Sequence, residues 1–217
     1  MNFEQARFNM VEQQIRTWEV LDPEVLDLLF KVKREQFVPP EHRDIAFADL
    51  EIPLGQGEAM MQPKLEARIL QELAVQPHET VYEVGTGSGY FTALLASRAR
   101  HVTSAEIHED LGRRATENLR RAGIGNVTLL QGDSAHAPLI DSAVDVLVIT
   151  GSVPVVPQAF LDRLSPGGRL FAVVGDPPVM EALLVRHPEP GAFQQARLFE
   201  TLLKPLVNAP QPARFRF

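Results

Sequence analysis

One stretch restricts the fold more than any other: VYEVGTGSGYFTALLA, residues 81–96. A β-branched run enters Gly85-Thr86-Gly87-Ser88-Gly89, and a helical pattern follows at once. Glycines at such a junction let the chain turn sharply and bring its backbone close to a ligand. A strand that turns directly into a helix is the opening unit of a parallel α/β sheet. A bare turn needs no three alternating glycines, so a nucleotide-type ligand is expected here. The loop lacks the Lys-Ser/Thr pair of a phosphate-binding P-loop, and Tyr90 stands where a dinucleotide fingerprint requires its last glycine.

The rest of the chain keeps the same rhythm. Strands are expected over Thr80–Val84, His101–Ala105, Val127–Leu130, Val144–Thr150 and Arg169–Val174, several of them apolar on both parities. Helices are expected at Tyr90–Arg98, Glu109–Ala122 with Gly123 as its stop, and Val156–Leu164 before a Ser165-Pro-Gly-Gly turn. Two further extended runs, Met180–His187 and Ala196–Leu206, read as an antiparallel hairpin completing the sheet, and the Pro-rich tail from Asn208 is expected to be loosely held.

Upstream, Met10–Trp18 and Pro23–Lys33 have helical spacing, Phe37-Val-Pro-Pro40 breaks it, and Pro63–Leu73 is a helix with proline at its first position. The expected architecture is an N-terminal helical cap with a loop (residues 1–78) on a doubly wound, mostly parallel seven-stranded α/β core (residues 79–217), forming one compact unit.

Charge and composition narrow the function. A net charge of −7 disfavours a mainly electrostatic nucleic-acid binder. With no cysteine, disulfides, thiolate catalysis and Cys-type zinc sites are excluded, which suits a reducing compartment. The N-terminus is interrupted by Glu4, Arg7 and Glu12, unlike a signal peptide. No window reaches the roughly 20 apolar residues of a membrane helix. A cytoplasmic protein is the expectation.

Three acids follow the strands. Glu106 closes the second strand, where a carboxylate can accept from both hydroxyls of a ribose; Gly132-Asp133 follows the third, where Asp133 can accept from an adenine amino group. Glu83, beside the glycine loop, favours a ligand bearing a cationic sulfonium and an amino group over a pyrophosphate. The six histidines show no metal spacing, and His136 alone falls near these acids. Asp176-Pro-Pro178 lies after the wrong strand, without the aromatic residue, to be the motif of amino-group methyltransferases. Arg34 and Arg43 are candidates for meeting an acidic substrate, with a solvated or helix-end charge as the plainer alternative.

Together these residues resemble the seven-stranded S-adenosylmethionine-dependent methyltransferases. Glu83-Val-Gly-Thr-Gly-Ser-Gly89 matches their first motif, Glu106 their ribose acid, Gly132-Asp133 the adenine-edge motif and Leu164-Ser-Pro-Gly-Gly-Arg-Leu170 the turn before their fifth strand. A narrower resemblance spans nearly the whole chain. Met10-Val-Glu-Gln-Gln-Ile15, Val32-Lys-Arg-Glu-Gln-Phe-Val-Pro39, Ala46-Phe-Ala-Asp49, Ile52-Pro-Leu-Gly55, Val84-Gly-Thr-Gly-Ser-Gly-Tyr90 and Leu203-Lys-Pro-Leu206 stand in the order seen in protein-L-isoaspartate O-methyltransferases, where the last motif is usually Phe-Val-Pro-Leu.

The resemblance implies S-adenosyl-L-methionine as cofactor, held by Glu83, Gly85, Thr86, Gly87, Ser88, Gly89, Tyr90, Glu106, Gly132 and Asp133. It implies transfer of a methyl group to the carboxylate of an isoaspartyl residue in a peptide or protein, a protein-repair activity. It also identifies Gly55-Gln-Gly-Glu-Ala-Met-Met-Gln-Pro63 as the substrate loop, whose family form is roughly G-x-G-Q-T-I-S-x-P. Gly57 and Pro63 keep the frame, but Glu58 stands for the glutamine, Ala59 for the threonine and Met61 for the serine. Hydrogen bonds to a charged group contribute about 1.5–3 kcal/mol each, and a thioether donates none. Glu58 also adds a negative charge where a carboxylate arrives.

Two alternatives therefore stay open: a related methyltransferase with a more apolar small-molecule acceptor, suited to Met60 and Met61, or a non-catalytic S-adenosylmethionine-binding protein. Ser152, at the end of the fourth strand, is either a replacement hydroxyl or the cap of a turn before Pro154.

Overall fold

The computed structural model describes residues 2–189 and 191–211; the end of the Pro-rich tail, residues 212–217, lies outside the described residues. Among the described residues nine strands and six α-helices follow one another as β1 (Ile52–Gly55), β2 (Glu58–Met60), α3 (Pro63–Leu73), β3 (Thr80–Val84), α4 (Tyr90–Ala96), β4 (His101–Glu106), α5 (Glu109–Arg121), β5 (Val127–Gln131), β6 (Val144–Val153), α6 (Gln158–Leu161), β7 (Leu164–Asp176), β8 (Val179–Glu189) and β9 (Ala192–Glu200), preceded by α1 (Phe3–Asn9) and α2 (Pro23–Lys31). The expected helix at Met10–Trp18 continues α1 as a π-helical segment over Met10–Ile15 and a final 3₁₀ turn.

The main sheet has the order β5-β4-β3-β6-β7-β8-β9. Strands β3 to β7 pair in parallel, β8 runs antiparallel to β7, and β9 returns antiparallel to β8. The chain winds outward from β3 through β4 to β5, then restarts at β6 on the other side. That reversal opens a crevice at the carboxyl ends of β3 and β6.

Parity explains why the strands read as apolar throughout. Val81, Val146, Val148, Phe171 and Val173 face the core shared with α3, α4, α5 and the N-terminal helices. Tyr82, Val84, Leu147, Ile149, Leu170 and Ala172 face a second core with Phe160 and Leu161 of α6. In α3, Leu65, Ile69, Leu70 and Leu73 are buried at helical spacing, each contributing about 1.5–3 kcal/mol.

Several expected boundaries move: β6 runs on to Val153, β7 starts at Leu164 and takes in the expected Ser165-Pro-Gly-Gly turn, α4 stops at Ala96 and α2 at Lys31. The helix expected at Val156–Leu164 shrinks to α6, because Pro157 restricts its start and Leu164 already pairs with Val144 as strand. The run expected at Ala196–Leu206 ends at Glu200, where its partner β8 runs out: Glu200 lies opposite Glu181, two residues from the start of β8. The chain then leaves the edge and crosses to the end of β6. There the Ser152 N–H donates to Lys204 O at 2.8 Å and the Leu206 N–H to Ser152 O at 2.9 Å. This detour carries the Leu203-Lys-Pro-Leu206 segment to the crevice. No helix among the described residues is long and apolar enough to cross a membrane.

Candidate functional site

Sheet register assembles the site. Val84 stands opposite Ala105 on β4 and Ile149 on β6, so Gly85, Glu106 and Thr150 leave the sheet side by side. Glu106 pairs in turn with Gln131, which sets Gly132 and Asp133 at the same edge. The crevice between them encloses about 800 Å³ of space open to solvent.

Its floor demands glycine. The Thr150 hydroxyl is shared between the carbonyls of Val84 and Gly85, at 2.7 and 2.8 Å. A Cβ on Gly85, where φ is +93°, would stand 2.3 Å from that hydroxyl oxygen. Any side chain there must break the anchor that holds the end of β3 to β6.

Gly85, Gly87, Glu106, Gly132 and Asp133 line the crevice as expected from their positions. The Glu106 carboxylate accepts from the Gly87 N–H at 2.8 Å and the His108 N–H at 3.0 Å, so it braces the glycine loop. Each of its oxygens keeps a second lone pair for a ligand. Asp133 accepts from the Ala135 N–H at 2.9 Å and from the Asn208 amide at 2.8 Å. Ile107, Leu111 and Ala135 add apolar surface beside these acids.

The other expected cofactor residues are not on the crevice wall. Thr86 turns inward to share a 2.6 Å hydrogen bond with the Ser104 hydroxyl. The Ser88 hydroxyl accepts from the Tyr90 N–H at 3.2 Å, and Gly89 lies against Ala115 of α5, which a Cβ would meet at 3.3 Å. The Tyr90 ring is buried between the Arg34 guanidinium, 4.9 Å from its centroid, and Phe37 at 5.5 Å. These residues shape the loop from behind.

Glu83 requires a correction. It points to the opposite side of β3 from Val84 and is fully buried, accepting from the Thr92 hydroxyl at 2.6 Å with its second oxygen unpartnered. Burial pushes its carboxyl up to about 8, so at neutral pH it is mostly protonated and lends the site no full negative charge. A consequence is measurable. A carboxyl raised from its ordinary 4.5 in the folded state loses stability as pH climbs from about 4.5 to about 8, by up to about 5 kcal/mol. Glu83→Gln keeps an acceptor for Thr92 and removes this dependence. Urea midpoints are expected to match the parent at pH 5 and exceed it clearly at pH 8.5; parallel pH profiles would refute the assignment.

The loop expected to hold substrate is a β-hairpin. β1 and β2 pair around Gln56 and Gly57, whose φ values of 55° and 76° belong to a type I′ turn. Alternation along β2 sends Met60 into the core and Ala59 outward, so of the two methionines only Met61 reaches the crevice, with Glu58 and Ala59. The expected apolar wall is therefore one methionine deep.

Glu58 is not an isolated charge either: its carboxylate pairs with the Lys204 ammonium, which also donates to Gly57 O at 2.8 Å. Arg34 is no solvated charge. It is completely buried, donating to Ala46 O at 2.9 Å, to Met61 O at 2.8 Å and to the Glu66 carboxylate, and so fixes the hairpin's exit from beneath. Burial pushes Glu66 up to about 7 despite that partner. Arg43 stays exposed and lines a separate cavity behind the glycine loop.

Ser152 is buried and donates to Leu203 O at 2.8 Å, so it anchors the 203–206 segment and offers no hydroxyl to the crevice. His136 is exposed and not part of the lining. Sequence reasoning passed over His108 and Lys204, both on the wall. The signal for Lys204 was present: a lysine where the resembling motif carries valine.

Comparisons with known proteins agree with this architecture. The family model of protein-L-isoaspartate(D-aspartate) O-methyltransferase matches residues 5–211. A protein-L-isoaspartate O-methyltransferase of Methanoculleus marisnigri is 40% identical over 169 residues, covering 78% of this chain and 77% of that one. Another, from Koribacter versatilis, is 32% identical over 202 residues, 93% of this chain and 90% of the relative. Among solved structures, a putative protein-L-isoaspartate O-methyltransferase from Plasmodium falciparum, in complex with S-adenosyl-L-homocysteine, superimposes with a TM-score of 0.80 at 18% identity, covering 95% of this chain and 99% of that one. A family match over almost the entire length, joined to the glycine loop and strand-end acids of one crevice, makes this chain a member of the protein-L-isoaspartate(D-aspartate) O-methyltransferase family.

Proposed function

We propose that the protein is an S-adenosylmethionine-dependent methyltransferase that esterifies the carboxylate of isoaspartyl residues in peptides or proteins. The observation that carries this reading is that the hairpin's Ala59 and Met61 share one crevice with Gly85, Gly87, Glu106 and Asp133. On this reading, acceptor loop and cofactor residues meet in a single space.

The crevice chemistry fits the cofactor. Glu106 is an acceptor for vicinal hydroxyls, Asp133 for an amino group, and Ile107, Leu111 and Ala135 offer apolar surface to a flat ring. Carboxylates at both positions suit hydroxyl and amine donors and repel phosphates. When bound, S-adenosylmethionine supplies a methyl group on a sulfonium, ready for in-line displacement.

The protein's own part is positioning. An acceptor carboxylate is ionised at neutral pH, with an ordinary pKa near ~4, so no residue has to act as a base. The hairpin has to hold it about 3–3.5 Å from the methyl carbon, the distance of a near-attack arrangement. Arg34, through Met61 O, keeps that wall in place.

A second reading, transfer to a small-molecule acceptor, draws on one observation: Ala59 and Met61 present no hydroxyl on the acceptor wall. One assay separates the two. Purified protein is incubated with methyl-labelled S-adenosylmethionine and an isoaspartyl peptide, with the aspartyl isomer as control. Base-labile label in the isoaspartyl peptide alone is expected. Absence of incorporation at high enzyme concentration, with cofactor binding intact by calorimetry, sinks the isoaspartyl reading.

A further inference from the structure

We propose that Lys204 is the cation that receives the acceptor's carboxylate, and that Glu58 is the internal carboxylate for which it is exchanged. The inference rests on the methyltransferase reading above and assigns the specificity of the same site.

Charge balance in the crevice leads to it. Among the described residues four acids line this space, Glu51, Glu58, Glu106 and Asp133, and Lys204 is the one lysine or arginine. A further carboxylate entering among four acids needs a compensating cation, and Lys204 is the one that the described residues supply. The hairpin meanwhile offers Ala59 and Met61 toward the same space, neither able to donate a hydrogen bond. The donor missing from the hairpin is supplied by the 203–206 segment beside its turn.

The geometry suits an exchange. The Lys204 side chain is 45% exposed, so its head can be reached. It donates to Gly57 O at 2.8 Å and to the Glu58 carboxylate, spanning from the 203–206 segment to the hairpin turn. The carbonyl contact keeps the ammonium in place while the carboxylate contact is replaced by one of identical chemistry. Glu58 has an alternative partner: His108 Nε2 lies 3.7 Å from Glu58 Oε1, buried and without a hydrogen bond. A rotation of the Glu58 side chain brings the two together and frees the ammonium. A purely stabilising role accounts poorly for the pair, since ion pairs this exposed contribute about 0–1 kcal/mol.

The test is steady-state kinetics on an isoaspartyl peptide, with cofactor Kd measured separately by calorimetry. Losing one hydrogen bond from a charged donor predicts that Lys204→Met raises peptide KM by about 10–100-fold, with kcat changed less than about threefold and cofactor Kd unchanged. Lys204→Arg should restore most of the affinity. Glu58→Gln removes the internal competitor and should lower peptide KM several-fold, an effect lost in the double variant with Lys204→Met.

Peptide KM within about twofold of the parent in Lys204→Met overturns the proposal while leaving the methyltransferase reading intact. A loss shared equally between cofactor Kd and peptide KM overturns it too, because it marks a structural role. An unchanged or raised KM in Glu58→Gln defeats the exchange. A parent protein that binds cofactor but never methylates the peptide removes the isoaspartyl reading, and this inference with it.

Discussion

Arg34→Met is expected to cost about 3–5 kcal/mol of stability, the usual penalty for removing one partner of a buried ion pair. The guanidinium is entirely inaccessible and serves three acceptors from separate elements: Ala46 O, Met61 O and the Glu66 carboxylate of α3. It also stacks over Tyr90 at the start of α4. Methionine fills much of the volume but leaves two carbonyls unpaired and Glu66 buried without a cation. For a domain of this size the loss corresponds to a fall in Tm on the order of 10 °C.

The sign of its pH dependence follows from Glu66. Burial already holds that carboxyl up at about 7, and losing Arg34 raises it further. The uncompensated charge therefore weighs more at pH 8 than at pH 6, and the destabilisation grows in that direction. Adding Glu66→Leu should recover part of the stability while leaving Met61 O without its donor. Urea unfolding at the two pH values checks both points. A loss below about 1 kcal/mol, or one independent of pH, would contradict the role given to the buried pair.

Glu106→Ala should raise the Kd for S-adenosylmethionine by at least about 100-fold. On the proposed reading the carboxylate accepts two hydrogen bonds from the cofactor, each contributing about 1.5–3 kcal/mol when the acceptor is charged. The same carboxylate braces the Gly87 and His108 backbone N–H groups, so the variant also loosens the loop. Calorimetry with S-adenosylhomocysteine measures the loss, with circular dichroism to verify the fold. Affinity within tenfold of the parent would remove Glu106 from the cofactor site.

Much of this was legible in the chain itself. β3 and α3 fall where their patterns put them, because a β-branched run ending in glycine and a proline-headed amphipathic run are decided by local chemistry. The crevice acids were legible for a similar reason: a residue just past a parallel strand lies at the sheet's carboxyl edge whatever else the fold does. The depth at which each acid sits was not. Glu83 and Glu106 both sit at strand ends in sequence, yet one is sealed against Thr92 and the other opens to the crevice. Both leave the same face of the sheet, since Glu83 lies opposite Ser104, two residues before Glu106; depth separates them, with Glu83 two residues further from the carboxyl edge, against Thr92 of α4.

The order of strands and helices, the glycine loop, the strand-end acids Glu106 and Asp133 and the altered hairpin loop were determined by sequence, because each rests on contacts between near neighbours or on a backbone geometry only certain residues adopt. The charge state of the site was decided by tertiary structure. β9 stops at Glu200, opposite the start of β8, and the following segment turns back across the sheet to set Lys204 against Glu58, 146 residues earlier in the chain. An isolated acid in the sequence thus becomes half of an ion pair in the fold. Electrostatic partners are set by distance through space, and a linear chain carries no measure of that distance until it has folded.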